Sequence, residues 1–269
     1  MKVKVHVWHT GSVLIDRSLA YKENTLHPMP YSGWLRGKSK QIEVPVSTYL
    51  IEHPRANILI DTGWHEQIRD AQRRHLGTLS YSMFRGALPS GASVRERLVD
   101  RGLKAEDLDY VILTHMHADH VSGVEHVKEA KNILTSEMEW EVAQKSIGYQ
   151  KKMWDSVLIN RFALESIPYG PYQKGLDLLG DGSIYLVHTP GHSEGLLSIL
   201  VSTMAGWVLL ASDVGYGQKS LSDGVLPGLT TDKLAAGRSL EWVRSFSNRG
   251  DCHSVCFNHD IEMREGIIQ

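Results

Sequence analysis

The strand-like run Tyr110-Val111-Ile112-Leu113 leads directly into Thr114-His115-Met116-His117-Ala118-Asp119-His120. Three histidines and a carboxylate within six residues, at the exit of an apolar strand, constrain this chain more than any other stretch. A buried strand anchors such an exit loop, and the loop is free to carry function. Imidazole and carboxylate crowded together in this way point to bound metal.

Other donors stand at other strand ends. His192 follows the run up to Val187, Asp213 follows Leu210, and His259 follows Phe257. Strand ends at one rim of a sheet converge in space, so the expected set is His115, His117, Asp119, His120, His192, Asp213 and His259. Five imidazoles and two carboxylates are too many for one tetrahedral ion and suit two that share a carboxylate. Zinc is the first expectation, with iron or manganese as alternatives. Asp61, which closes another apolar strand, reads either as a turn cap or as a carboxylate that orients a metal-bound histidine. The remaining histidines, among them His65, His75, His126 and His188, read as structural or surface groups. Cys252 and Cys256 lie on the last strand and read as buried rather than metal-binding.

Around these points the chain alternates short strands with helices. Val3 to Trp8 is expected to pair with Ser12 to Asp16 across a turn at Gly11, and Val46 to Glu52 with Asn57 to Asp61 as a hairpin. Ser93 caps a helix with Val94, Leu98 and Val99 on one side, and Ser136 with Glu139 fits a capping box. A helix over Leu234 to Phe246 is expected to present Leu234, Leu240, Val243 and Phe246. Three stretches resist assignment. Tyr21 to Lys40 either borders a pocket or is a surface excursion. Trp64 to Gly91 is a lid, an apolar wall or core, and Lys145 to Lys174 lines a pocket or makes a dimer contact. Strands then helices, twice over, suggest two similar halves packed sheet on sheet with helices outside.

No shift in composition marks a boundary, so residues 1–269 are expected to form one domain. Twenty-nine basic against thirty-one acidic residues leave no electrostatic footprint for nucleic acid. No apolar run reaches the roughly 18 residues of a membrane span, and the alternating N-terminus is not a signal peptide. Two cysteines fit a reducing cytoplasm. The expected partner is a small molecule, bound by a monomer or homodimer.

The pattern His115-x-His117-x-Asp119-His120, followed by Gly191-His192, Asp213 and His259, resembles the metallo-β-lactamase superfamily. That resemblance spans nearly the whole chain, from Asp61-Thr62-Gly63 to His259. It implies an α/β fold, an αββα sandwich of two mixed β-sheets with helices on both outer faces and the site at one edge. It also implies that His115, His117 and His192 hold one metal, that Asp119, His120 and His259 hold the second, and that Asp213 bridges. Asp213-Val214-Gly215-Tyr216, Thr189-Pro190-Gly191-His192-Ser193 and the surroundings of His259 look like the N-acyl-homoserine lactone lactonases. That branch usually shows a further Pro-Gly-His where Glu194-Gly195-Leu196 stands here.

The chemistry expected of a lactonase uses a metal-bridging hydroxide as nucleophile, Tyr216 as a hydrogen-bond donor to the oxyanion, and Asp119 as the proton carrier. The rival hydrolase is a thioester hydrolase like glyoxalase II, and a different class of reading is a metal-dependent binding or sensing protein. The short stretch after His259 argues against the thioester hydrolase, and the completeness of the ligand set argues against the sensor.

Overall fold

The computed structural model describes residues 3–269. Met1 and Lys2, the first residues of the alternating N-terminal run, lie outside the described residues. In chain order the strands are β1 (Lys4–Asp16), β2 (Gln41–His53), β3 (Ala56–Ile60), β4 (Arg85–Ala87), β5 (Tyr110–Ile112), β6 (Ile133–Ser136) and β7 (Asn160–Phe162). They continue with β8 (Glu165–Ser166), β9 (Lys174–Asp177), β10 (Ile184–His188), β11 (Leu197–Thr203), β12 (Gly206–Ser212), β13 (Cys252–Phe257) and β14 (Gly266–Ile268).

One sheet runs β14-β1-β2-β3-β5-β6-β7, with β4 paired to β1; the other runs β13-β12-β11-β10-β9-β8. Both are mixed. In the first, β3, β5, β6 and β7 are parallel and the rest antiparallel. In the second, only β12 and β13 are parallel.

The period of two along each strand sends alternate residues to opposite faces. Val5, Val7, Ile51, Ile58, Ile60 and Ile112 of the first sheet meet Leu186, Ile199, Val201, Val208 and Leu210 of the second in one apolar layer. Their neighbours Leu50, Leu59 and Val111 face outward onto Val94 and Leu98. Likewise, Leu200 and Leu209 face Leu240, Val243 and Phe246. Each sheet is buried on both sides, which is the αββα sandwich.

The N-terminal hairpin does not form. Residues Lys4–Asp16 are one strand, and β2 pairs along its whole length, with a register shift between His9 and Ser12. Gly11, at φ +106°, forms the irregularity instead of a turn. A Cβ there would stand 2.3 Å from the Ala87 carbonyl oxygen of the adjoining β4. A partner strand long enough to satisfy both halves removes any reason for the chain to turn back.

The helix Val94–Asp100 is capped by Ser93, but Val99 is exposed. The helix Lys233–Ser247 buries Leu240, Val243 and Phe246 and leaves Leu234 exposed in its first turn. Ser136 caps the helix Glu137–Lys145 by accepting from the Glu139 amide at 3.1 Å. Glu139 does not complete the box, because its side chain is bonded elsewhere. Among the described residues no helix is long and apolar enough to cross a membrane.

Candidate metal centre

The site stands where β3, β5, β12 and β13 end. The loop after β5 turns into the short helix Ala118–Val121, so that His115, His117, Asp119 and His120 point to one place. His192 comes from the loop between β10 and β11, Asp213 from the end of β12 and His259 from the end of β13. All seven expected donors meet. They fall into three overlapping groups with ligand atoms within 4.8 Å of one another: His115-His117-His192, His115-His120-Asp213 and Asp119-His120-His259.

Hydrogen bonds on the far side of the rings settle which nitrogens face inward. His120 uses Nδ1 on the Asp61 carboxylate at 2.8 Å, His192 uses Nδ1 on the Leu229 carbonyl at 3.0 Å, and His259 uses Nδ1 on the Pro45 carbonyl at 2.7 Å. An acceptor at Nδ1 keeps the proton there and leaves Nε2 with a free lone pair. The inward atoms His115 Nε2, His120 Nε2 and Asp213 Oδ1 are buried without a hydrogen-bond partner. His117 Nδ1 faces His192 Nε2 at 2.9 Å. Buried lone pairs aimed at one another are costly unless something positive lies between them. The donor set therefore fits divalent cations.

The buried charges at the centre act strongly on one another. Burial alone would depress His120, but Asp213, Asp61 and Asp119 hold it well above the usual imidazole range. Burial would raise Asp213, yet His259 and His120 pull it well below the usual carboxylate range. His115 and His117 are held well down, first by burial and then by neighbouring imidazoles.

Asp61 acts as an orienting carboxylate. Besides His120 it takes the Thr114 amide and hydroxyl, both at 2.8 Å. Thr114 Oγ1 also contacts Ser212 Oγ at 2.9 Å, tying the two halves together. Asp61 and Ser212 both adopt positive φ, 56° and 49°. Left-handed backbone at non-glycine residues costs energy and is held by its surroundings, here at the last turn before the site in each half.

A cavity of about 260 Å³ opens onto the donors. Its floor is His117, Asp119, His192, Asp213, Tyr216 and His259, and its wall includes Val13, Ile15, Leu19, Leu79, Met83, Phe84, Ile147 and Leu229. The three unassigned stretches thus all reach the site. Tyr31 lines the cavity, and the Tyr21 hydroxyl donates to the Tyr216 carbonyl at 2.7 Å. Arg36 holds the 21–40 loop by pairing with Asp16 at 2.8 Å and Glu23 at 2.6 Å. Trp64, Ile68 and Leu76 are core, whereas Leu79, Met83 and Phe84 are wall. From the third stretch, Ile147 and Gly148 line the cavity and Tyr149 packs on His117 with ring centroids 5.0 Å apart.

Tyr216 stacks on His259 at 4.8 Å, and its hydroxyl donates to Asp213 Oδ2 at 3.1 Å. Burial, then the charges of Asp213 and Asp119, keep that hydroxyl protonated well above its usual range. His188 accounts for itself as a brace, with Nε2 on the Glu194 carbonyl at 2.9 Å. Sequence reasoning missed Thr114 and Ser212 as braces. Their positions directly before His115 and Asp213 were the available signal.

The family model of the metallo-beta-lactamase superfamily matches residues 42–246. The chain belongs to that superfamily. It is 26% identical over 230 residues to the N-acyl homoserine lactonase AttM of Rhizobium radiobacter, covering 84% of this chain and 85% of that one. It is 27% identical over 264 residues to an N-acyl homoserine lactonase of Bacillus cereus, covering 98% and 95%. Among solved structures it is similar to an N-acyl homoserine lactone hydrolase with the product N-hexanoyl-L-homoserine at its catalytic metal centre. That likeness has a TM-score of 0.78 and 25% identity, and covers 97% of this chain and 95% of the other.

Proposed function

We propose that this chain, residues 1–269 acting as one unit, is a dinuclear metal-dependent hydrolase that opens the lactone ring of N-acyl homoserine lactones. The observation that carries the proposal is the cavity, an apolar wall ending on a floor of histidines and carboxylates. An acyl chain matches the wall and a polar ring matches the floor. The relatives that act on these lactones match the chain along most of its length.

His115, His117 and His192 would hold one ion, Asp119, His120 and His259 the other, and Asp213 would be shared. Zinc is the proposed native ion, with iron or manganese the alternatives that metal analysis separates. When bound, the two ions supply Lewis acidity and a water acidic enough to ionise near neutral pH. The residues do the rest. Tyr216, held neutral beside Asp213, donates to the oxygen on which negative charge develops as the carbonyl is attacked. Asp119, on the cavity floor, takes the proton of the attacking water. It returns that proton to the ring oxygen as the carbon–oxygen bond breaks, leaving an N-acyl homoserine. The wall excludes bulk water from the acyl side and orients the ring over the floor.

A pH-stat assay of acyl homoserine lactones of several chain lengths, beside S-lactoylglutathione and nitrocefin, tests the reading. Acid release from the lactones is the expected result. Thioester cleavage without lactone opening would move the chain to the glyoxalase II type, and no turnover by a protein holding two ions would make it a binding protein.

A further inference from the structure

Glu139 is fully buried and, among the described residues, has no lysine or arginine within ion-pair distance. Its two oxygens face two different loops. Oε1 accepts from the Met116 amide at 2.9 Å, between His115 and His117. Oε2 accepts from the Ser193 hydroxyl at 2.7 Å and the Gly195 amide at 3.3 Å, just past His192. The loop after His192 is also tied to this helix start by the Ser136 hydroxyl, which donates to the Gly195 carbonyl at 2.9 Å. The approach is close enough that a Cβ on Gly195 would lie 2.2 Å from the Glu139 amide nitrogen.

Burying a carboxylate with no cation beside it is expensive, and an apolar side chain would fill the same space at less cost. What a carboxylate alone supplies is acceptor capacity in several directions at once, with no donor edge to clash with an amide N–H. Those acceptors are spent on the two loops that bring together His115, His117 and His192, and on neither His120 nor His259, whose rings are braced by Asp61 and Pro45.

We propose that Glu139 is a positioning residue for one metal subsite only: by cross-bracing the 115–117 and 192–195 loops it sets the His115-His117-His192 ligands and leaves the Asp119-His120-His259 ligands unaffected. The proposal rests on the two-metal reading above.

The test compares the full-length protein with Glu139→Gln, which keeps the volume and puts a donor where an acceptor stood, and with Ser193→Ala, which removes one of the three contacts. Cadmium-loaded samples are followed by cadmium NMR, one resonance per subsite, and by chelator competition. Loss of such a supporting contact typically weakens metal binding about tenfold to a hundredfold. In Glu139→Gln one ion should leave that much more readily and one resonance should shift or vanish, the other remaining in place. Ser193→Ala should perturb the same resonance to a smaller extent, and it carries the test alone if Glu139→Gln does not fold. Equal weakening of both ions would make Glu139 a general structural residue and overturn the proposal, as would no weakening of either. A wild-type protein that takes up fewer than two cadmium ions would instead sink the two-metal reading, and the proposal with it.

Discussion

The two halves of the molecule hold their histidines in place by different chemistry. In the first half His120 is braced by a carboxylate, Asp61, itself locked by the Thr114 amide and hydroxyl. In the second half His192 and His259 lean on backbone carbonyls, those of Leu229 and Pro45. Either acceptor fixes the tautomer and aims the ring, but only Asp61 adds charge. The brace does not by itself set the direction of the shift: against burial, Asp213, Asp61 and Asp119 hold His120 well above its usual range, Asp213 and Asp119 also raise the carbonyl-braced His259, and burial depresses His192. Either acceptor aims the ring and raises its basicity, and the carboxylate places a negative charge behind it as well.

The largest effect is expected from His117→Ala, which removes a donor from the floor: metal content should fall and lactone opening should vanish. Turnover that persisted in metal-analysed protein would mean the donor set is not the catalytic one. Next, Asp61→Asn keeps an acceptor for His120 but removes the charge. Metal affinity should drop about tenfold to a hundredfold in chelator competition. Wild-type affinity in this variant would show that the charged and uncharged braces are equivalent.

Tyr216→Phe tests the carbonyl-braced side, because the ring keeps its stacking on His259 while the hydroxyl is lost. Steady-state kinetics should show kcat lowered by up to about a hundredfold, with two ions still present. Unchanged kcat would remove Tyr216 from the reaction. A smaller effect is expected from Phe84→Ala in the apolar wall, which should raise KM for long acyl chains more than for short ones. Equal changes at all lengths would separate the wall from acyl binding.

The smallest effect concerns acid. His65, His75 and His126 stack behind the charged side, with centroids 5.2 and 4.2 Å from the central His65, and Ser122 links His75 to the ligand loop. Burial first, then mutual repulsion, lowers His75 and His126 to about 4; Lys152 adds to the shift of His75, and Arg95 adds to that of His126 while Glu66 and Glu96 oppose it. The folded rings bind protons less readily than the unfolded ones, whose value is near 6.5. Their contribution to stability is therefore present above pH 6.5 and is lost as pH falls from there toward 4. Urea midpoints at pH 7 and pH 5 should fall less for a His75→Gln/His126→Gln double variant than for the wild type; parallel falls would rule the stack out as the cause.

Much of this was readable in advance because it is local. The hairpin of β2 and β3, the cap at Ser93, the apolar strands and the density of donors after Leu113 all follow from periodicity and side-chain chemistry within a few residues. Sequence and structure part where a distant partner decides the outcome. Gly11 reads as a turn until β2 is seen to pair along all of β1. Glu139 reads as half of a capping box, three residues after Ser136, until the 192–195 loop folds against it and takes its carboxylate.

By itself, then, the sequence determined which atoms are available to hold metal, since donor chemistry belongs to side chains and survives in any conformation. Tertiary structure decided which nitrogen of each ring faces the centre and what backs it. The acceptors behind His192 and His259 are main-chain carbonyls of Leu229 and Pro45, thirty-seven and 214 residues away. Every residue carries such a carbonyl, so no pattern of residue types can mark the two that matter until the chain has folded.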